Sequence, residues 1–310
     1  MRVFALGALA LVAAGSAFAE PRGFDVNDLV NLDRVADPRI SPDGRQVAFQ
    51  LRETDYAANK GLQSLWLVPA NASAPPRRLT AKGVTPVGPR WSRDGQSIYF
   101  LSPRSGSMQV WKLALNGGEA AQVTDYPLDV GTFQLSPTGA QIALTFEVYT
   151  DCDTLDCSKK RLDEVAATKA SGKVFDKLFI RHWDTWSDGR RSQLFVADLA
   201  ADGRAEAAPA WVSKGIDGDV PSKPFGDETE YAFAPDGQSL VFSARIAGKT
   251  EAWSTNFDLF TVPADGSLAP ANLTAANPAW DSYPLFSRDG KTLYYLAMSR
   301  AGFEADRFQI

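Results

Sequence analysis

The sequence predicts an all-β protein, specifically a β-propeller built from four-stranded blades. A turn followed by an alternating strand recurs along the chain, and three of the four gaps between copies are about fifty residues long, whereas the fourth is about twice that. Two further strand signals follow each complete copy in the same order. Repeats of this length made of short strands are typical of propellers, in which neighbouring blades bury each other's faces.

The repeating turn is the tetrapeptide Ser-Pro-Asp-Gly or a close variant of it. Residues in this order favour a type I turn, and the glycine is free to adopt the positive φ that lets a hairpin close. An alternating strand follows directly, as Arg45 to Phe49 does after the first copy. The five copies start at Ser41, Ser92, Ser136, Ala234 and Ser287.

The N-terminal lead-in, residues 20–35, contains the apolar spacing of a short helix with Asp25 as its cap, and we expect this helix to dock on the propeller. In each complete repeat an aromatic-centred third strand and a closing strand of the Leu/Val-Thr type then follow the turn. These signals bracket four blades, at about residues 36–80, 86–124, 130–213 and 228–274.

The fifth repeat begins at Tyr283 and the sequence ends at Ile310, before a third and a closing strand are complete. The propeller region, residues 36–310, is therefore expected to be incomplete, with about four and a half blades. We expect the chain to be a fragment, or the ring to be completed by another chain, because open edges are a liability in a soluble propeller.

The third repeat is interrupted by an insertion, residues 149–191, that departs from the repeat pattern. It contains Cys152 and Cys157, a charged segment around 159–169 that favours a helix, and an aromatic stretch from Phe175 to Trp186. Insertions in repeat arrays project from one face, often the binding face. A role in binding or gating and a role as a loop packed over a blade edge both remain open.

Composition and charge exclude several classes of protein. The 310 residues are 45% hydrophobic and the net charge is −5, with neither sign gathered in a long block. Nucleic acid is therefore not an expected partner, since phosphate binding needs a clustered basic face.

The two cysteines, Cys152 and Cys157, indicate a disulfide in an exported chain, because a thiolate zinc site would need further ligands that the sequence lacks.

The first nineteen residues resemble a cleaved signal peptide. Arg2 provides the basic start, an apolar stretch follows, and Ala17 and Ala19 occupy the two small positions that a signal peptidase reads. We expect cleavage after Ala19 and a periplasmic or secreted protein. The apolar run is shorter than the ~20 residues that a spanning helix needs, so no membrane association is expected.

No constellation of residues for catalysis is evident. The chain has one histidine, His182, and lacks a Gly-x-Ser-x-Gly nucleophile elbow, a phosphate-binding loop and a cluster of metal ligands. We therefore predict no catalytic residue, no metal and no cofactor in this chain. One alternative stays open, a propeller hydrolase with carboxylates at its own axis, for which the candidates are Asp37, Asp129, Asp227 and Asp281.

The sequence resembles the propeller of the prolyl oligopeptidase family of serine peptidases, in the branch of dipeptidyl-peptidase V and acylaminoacyl peptidase. The resemblance rests on the repeated turn, the export signal and the stretch from Arg181 to Gly189 that leads into Ser192 to Val196. The segments from Asp227 to Phe233 and from Arg300 to Phe308 also resemble that branch. It covers nearly all of the mature chain.

The resemblance implies an oligopeptide substrate and a C-terminal α/β-hydrolase domain, absent from this sequence, that carries the catalytic triad. It also implies a ring of seven or eight blades that admits short peptides and helps to hold the N-terminal end of the substrate. Glu228 and Glu230 are the candidates for pairing with a peptide ammonium group. The alternative is a non-enzymatic periplasmic propeller of the TolB type that binds a protein partner. The sequence does not predict the oligomeric state.

Overall fold

A computed structural model describes residues 22–175, 178, 180–182 and 184–310. Within these residues the chain forms four four-stranded antiparallel sheets and two two-stranded sheets. Each four-stranded sheet is an up-and-down meander in which sequential strands pair. The predicted β-propeller with four-stranded blades is therefore confirmed. The predicted signal peptide, residues 1–19, lies outside the described residues.

Blades 1 and 2 follow a short N-terminal helix, α1 (Val26–Asn31). Blade 1 consists of β1 (Arg34–Ile40), β2 (Gln46–Asp55), β3 (Lys60–Pro69) and β4 (Arg77–Arg78). Blade 2 consists of β5 (Val87–Trp91), β6 (Ser97–Ser102), β7 (Gln109–Ala114) and β8 (Ala121–Gln122).

Blade 3 is divided by the insertion. Its first strands are β9 (Phe133–Leu135) and β10 (Gln141–Val148), and the insertion contributes α2 (Leu155–Ala167) and the hairpin β11 (Arg181–His182) and β12 (Thr185–Trp186). The blade is completed by β13 (Arg191–Asp198) and β14 (Ala210–Trp211). The helix begins four residues before the charged segment that predicted it, because Thr154 caps its N-terminus.

Blade 4 consists of β15 (Tyr231–Phe233), β16 (Ser239–Ala244), β17 (Asp258–Pro263) and β18 (Ala271–Asn272). A 3₁₀ turn, Glu228–Glu230, precedes β15, and a second one, Gly248–Thr250, follows β16. The fifth repeat forms the hairpin β19 (Asp281–Phe286) and β20 (Leu293–Ala297). Gln309 then pairs with Ala297 through two backbone hydrogen bonds of 2.8 Å.

The hydrophobic core lies between successive blades. One buried cluster joins blades 1 and 2 around Leu65 and Phe100, a second joins blades 2 and 3 around Phe146, and a third joins blades 3 and 4 around Leu194 and Phe242. The alternating strands make this packing possible, because each inward side chain of one blade meets the facing sheet of the next.

A conserved geometry closes each of the four complete blades. In all four blades the second residue of the third-strand signal donates its backbone N–H to the hydroxyl of the closing Thr or Ser, over 2.8 to 3.0 Å. The predicted closing signal thus has a physical reason, since the hydroxyl satisfies an amide that the two-residue outer strand leaves unpaired. The four pairs are Leu65 with Thr80, Val110 with Thr124, Leu194 with Ser213 and Leu259 with Thr274.

The five repeated turns contact one another in sequence. A Cβ atom placed on Gly95 would lie 3.5 Å from Pro42, one on Gly290 would lie 3.5 Å from Pro235, and Gly139 and Gly237 approach the preceding turn in the same way. The glycines adopt φ between 69° and 77° at these four positions. The turns therefore form a continuous arc, which we call the turn arc, along one side of the molecule.

Helix α1 begins at its predicted cap, since the Asp25 carboxylate accepts hydrogen bonds from the backbone N–H groups of Asn27 and Asp28. None of its six residues is buried, but the helix lies against β2 of blade 1 and Val30 is half-buried, so it contacts the propeller as expected, although only shallowly. Val26 and Leu29 are exposed at 68% and 52%. The helix is too short to bury a complete apolar face, and its cap and the Arg22–Asp28 pair are its main stabilising contacts.

Candidate functional site

The inner strands of blades 1, 2 and 3 direct equivalent side chains toward one residue of blade 4. Arg39, Arg90 and Gln134 each lie two residues before the serine of the turn that follows their strand. Both arginines donate to the Glu228 carboxylate, and Gln134 donates from Nε2 to the backbone carbonyl of Glu228. Because the repeat gives these three side chains the same place in successive blades, they converge on the axis of the arc.

Four charged side chains form a closed ring of ion pairs at this point, which we call the axial ring. Arg39 Nε lies 2.6 Å from Asp37 Oδ1, and Arg90 Nη1 lies 2.7 Å from Asp37 Oδ2. Arg39 Nη2 lies 3.0 Å from Glu228 Oε1, which also accepts a hydrogen bond from Arg90 Nη2. Two positive and two negative charges make the axial ring formally neutral.

The axial ring is only partly enclosed and keeps hydrogen-bonding capacity. The side chain of Arg39 is 38% exposed, whereas those of Glu228 and Arg90 are 19% and 14% exposed. Among the described residues, none bonds to Glu228 Oε2 or to Arg39 Nη1. The ring therefore presents one free acceptor atom and one free donor group on neighbouring side chains.

A backbone irregularity before a proline brings Asp37 to the axis. Asp37 precedes Pro38 and has a φ of 47°, and the β1–β2 pairing shifts register between Ala36 and Arg39. Proline has no N–H to donate to a ladder, so the strand bulges there. The positive φ is uncommon for a residue other than glycine, and such strain often accompanies a functional position.

The same bulge occurs in blade 2 and in the β19–β20 hairpin. Gly88 precedes Pro89 with a φ of 65°, and Tyr283 precedes Pro284 with a φ of 56°. Strand β19, which carries Tyr283, packs against the 3₁₀ turn that carries Glu228, and partial burial and the carboxylates of Glu230 and Asp227 raise the pKa of the Tyr283 phenol. The bulge is thus a recurrent device that directs one side chain of an inner strand toward the axis.

The two glutamates predicted to bind an ammonium group lie in different environments. Glu228 belongs to the axial ring. Glu230 is only 4% exposed, and its carboxylate accepts hydrogen bonds from the backbone N–H and the hydroxyl of Ser222, at 2.7 and 2.8 Å. Burial raises the pKa of Glu230, although the Ser222 hydrogen bonds oppose this shift. Glu230 therefore anchors the 3₁₀ turn, and Glu228 is the one that solvent reaches.

The four aspartates considered for a catalytic centre do not converge. Asp37 lies in the axial ring, and Asp227 caps the 3₁₀ turn through the Thr229 N–H at 2.8 Å. Asp129 accepts a hydrogen bond from the Met108 N–H, and Asp281 is fully buried with Asn277 as its partner at 2.8 Å. Among the described residues, no group of three or more His, Cys, Asp or Glu side chains is placed to hold a metal ion.

The insertion carries the remaining sequence candidates. Cys152 and Cys157 form a disulfide at the start of α2. His182 lies in β11 and pairs with Thr185 of β12 in an exposed hairpin, where the Arg181 guanidinium stacks on Trp186. Trp183, which belongs to the stretch that carried the family resemblance, lies outside the described residues. In the described part of the chain, no helix is long and apolar enough to cross a membrane.

Sequence reasoning did not identify Arg39, Arg90 and Gln134. Their signal is positional, since each lies two residues before the turn serine in three successive repeats. A polar side chain at one fixed place of an inner strand points toward the axis in every blade. Aligning the repeats on the turn and reading this position would have found all three.

Comparison with known proteins agrees with this architecture. Residues 30–168 match the family model described as TolB beta propeller domain. Dipeptidyl-peptidase 5 of Porphyromonas endodontalis is 29% identical over 91% of this chain, and its counterpart in Porphyromonas gingivalis is 28% identical over 89%. In both cases the match covers 39% of the relative's length, so the chain spans about two fifths of these curated relatives.

A solved structure supports the fold independently. The acylaminoacyl peptidase of Pyrococcus horikoshii matches 89% of this chain and 37% of its own, with a TM-score of 0.59 and 13% identity. At this identity the likeness establishes the fold alone. The sequence matches confirm the predicted resemblance: this chain is similar to the N-terminal propeller portion of the dipeptidyl-peptidase 5 relatives, and it shares its fold with the acylaminoacyl peptidase.

Proposed function

We propose that this chain is the substrate-gating propeller of an exported serine exopeptidase that acts on oligopeptides. The names of its relatives support a dipeptidyl peptidase, in which a separate hydrolase domain cleaves the bond. The observation that carries the proposal is the free Oε2 atom of Glu228, which lies at the axis on a side chain that solvent reaches.

Glu228 is suited to a peptide with a free amino terminus. An ammonium group forms short, charge-assisted hydrogen bonds with a carboxylate, and the partly enclosed position strengthens them relative to bulk water. Arg39 and Arg90 hold Glu228 Oε1, so the carboxylate is fixed before the ligand arrives. An acylated terminus has no charge to offer, which favours the release of dipeptides over the release of acylated residues.

The position of the site supports the proposed gating role. In an up-and-down blade the connections between strands 2 and 3 and between strands 4 and 1 lie on the same side of the propeller, opposite the turn arc. The insertion and the 3₁₀ turn that carries Glu228 are both such connections. In the proposed role, a peptide that approaches the axis from this side passes these connections, and they restrict access by bulkier proteins.

The test uses the protein encoded by the complete reading frame, assayed with dipeptidyl p-nitroanilides and with the same compounds acetylated at the amino terminus. We expect cleavage of the free form to exceed that of the acetylated form. Glu228→Gln should raise KM for the free form about tenfold, the effect of losing about 1.4 kcal/mol of binding, with kcat little changed. Glu206→Gln, an exposed glutamate outside the ring, is the matched control.

Absence of hydrolysis by the complete protein would overturn the enzymatic proposal and favour the alternative, a TolB-type propeller that binds a protein partner. Hydrolysis with an unchanged KM in Glu228→Gln would keep the peptidase and exclude Glu228 as the ammonium-binding group. Export is tested separately by mass spectrometry of the protein from the periplasm or medium. We expect a mature terminus at Glu20, and an intact Met1 terminus would contradict cleavage after Ala19.

A further inference from the structure

The axial ring offers charges of both signs, and the proposed function uses only one of them. Glu228 Oε2 is free for an ammonium group, and Arg39 Nη1 is equally free. We propose that Arg39 binds the carboxylate of a free dipeptide whose ammonium group is held by Glu228, so that the axial ring is a binding site for dipeptide zwitterions. This inference rests on the proposed function, since a dipeptide is the product that such an enzyme releases.

Charge balance favours a zwitterion over a singly charged ligand. The axial ring is neutral by itself, because Asp37 and Glu228 offset Arg39 and Arg90. A ligand with only an ammonium or only a carboxylate group would add a net charge to a partly desolvated site, which is costly. A zwitterion adds one charge of each sign and leaves the site neutral.

Exposure and geometry select Arg39 over Arg90 for the carboxylate. Arg90 is the less exposed of the two, and its Nη1 and Nη2 groups already donate to Asp37, Glu228 and the backbone carbonyl of Pro89. Arg39 is 38% exposed and uses only Nε and Nη2. A guanidinium with a free edge is well shaped for a carboxylate, because its N–H groups form a planar fork.

The length of the ligand is also constrained. Arg39 Nη2 and Glu228 Oε1 are 3.0 Å apart, so the free atoms of the same two side chains lie close together. Two extended residues span at most about 7 Å, and each further residue adds about 3.5 Å. A dipeptide can therefore bridge the two groups, whereas an extended longer peptide carries its charges too far apart. The nearby Asp227 would repel a carboxylate that approached from the 3₁₀ turn, which leaves the Arg39 side open for it.

Calorimetric titration of the full chain separates the contributions of the two ligand ends. The probes are glycylglycine, glycylglycinamide, N-acetylglycylglycine and triglycine. We expect glycylglycine to bind at least tenfold more tightly than each of the other three. In Arg39→Gln, glycylglycine and glycylglycinamide should bind alike. Arg93→Gln, an exposed arginine of the turn arc, should keep the wild-type ranking, and thermal unfolding of each variant checks that it is folded.

Each outcome has a distinct meaning. Equal binding of glycylglycine and its amide by the wild-type chain would overturn the role of Arg39 and leave the ammonium contact of Glu228 intact. Equal binding of glycylglycine and its acetylated form would overturn the ammonium contact, on which the proposed function also depends. No binding of glycylglycine at millimolar concentration would overturn the zwitterion site, whatever the complete protein does to longer peptides.

Discussion

The turn arc and the axial ring are built from the same inner strands and differ in what they repeat. In the turn arc the same contact recurs in the three copies that have both serine and aspartate, where the hydroxyls of Ser41, Ser92 and Ser287 donate to the turn aspartate over 2.5 to 2.7 Å. In the axial ring Arg39 and Arg90 share one repeat position, but their partners Asp37 and Glu228 each occur in one blade only. The comparison shows that the repeat determines where side chains lie, whereas residues that depart from the repeat provide the charged groups of the candidate site.

The two regions also differ in how their charges are satisfied. Three turn aspartates are stabilised locally, because the serine hydroxyl of the same turn first and the backbone N–H two residues further on second hold the pKa of Asp43, Asp94 and Asp289 below its usual range. Three of the four ion pairs of the axial ring join different blades, with Arg39 and Glu228 separated by 189 residues, and only the Arg39–Asp37 pair lies within one blade. The turn arc can therefore form locally, whereas the axial ring exists only once the blades have assembled.

The largest expected loss of stability follows from truncating a side chain in the hydrophobic core between blades 1 and 2. Phe100 is fully buried between blades 1 and 2 in contact with neighbours such as Leu65. Phe100→Ala should lower the free energy of unfolding by about 3 to 5 kcal/mol, because it removes apolar burial and leaves a cavity. Urea denaturation of the full chain measures this change.

The matched variant in the axial ring is Arg39→Gln, which should cost less than about 1 kcal/mol, because exposed and partly exposed ion pairs contribute little. If Arg39→Gln proved as destabilising as Phe100→Ala, the axial ring would be a structural clamp, and its assignment as a binding site would fail.

Most of the fold could be predicted because it depends on local signals. The turn needs glycine at positive φ, the third strands need alternating apolar residues, and the closing Thr or Ser needs a hydroxyl. All of these are visible in a single sequence. The insertion in blade 3 was also predictable, since Ser136 and Ala234 are separated by about twice as many residues as the other neighbouring copies.

The candidate site was only partly predictable because it depends on contacts between blades. Glu228 could be suggested from its place before an inner strand, but nothing in the sequence shows that Arg39 and Arg90 neutralise it. Glu230 looked equivalent to Glu228, and only the loop that brings Ser222 within 2.7 Å distinguishes them. The shallow contact of α1 with β2 was also unforeseen, because amphipathic spacing does not specify how much of a helix face finds a partner surface.

A moderate effect is expected for a serine of the turn arc. Ser41 Oγ accepts hydrogen bonds from the backbone N–H groups of Arg45 and Gln46, at 3.1 and 2.9 Å, and the residue is 5% exposed. Ser41→Ala leaves these amides without that acceptor, which should cost about 1 to 2 kcal/mol by urea denaturation. Ser105→Ala, at an exposed loop serine, should change stability by less than about 0.5 kcal/mol. Equal losses in the two variants would contradict the structural role of the repeated serine.

The smallest expected effect is the change in the pH dependence of stability when Glu230 is replaced. Glu230 lies directly before the inner strand β15, and its burial raises its pKa above the unfolded value of about 4.3. The folded chain therefore holds this proton more strongly than the unfolded chain does. Its contribution to stability is fully present below the unfolded pKa and is lost as the pH rises through the folded pKa.

Glu230→Gln should remove this dependence, since an amide does not ionise in this range and its carbonyl can still accept a hydrogen bond from Ser222. Stability curves of the wild-type chain and of Glu230→Gln, measured by urea denaturation from pH 4 upward, should therefore differ in slope just above about pH 4.3 and run parallel at higher pH. Because Asp281 is also buried with a raised pKa, the difference between the two curves is the informative quantity, and neither curve alone suffices. Glu119→Gln, at an exposed loop position, should reproduce the wild-type slope.

A Glu230→Gln curve parallel to that of the wild-type chain throughout would mean that Glu230 titrates normally. Burial of Glu230 would then contribute nothing to the pH dependence of stability, and the anchoring of the turn that presents Glu228 would rest on contacts that do not depend on this proton, such as those of Asp227 and Gln134.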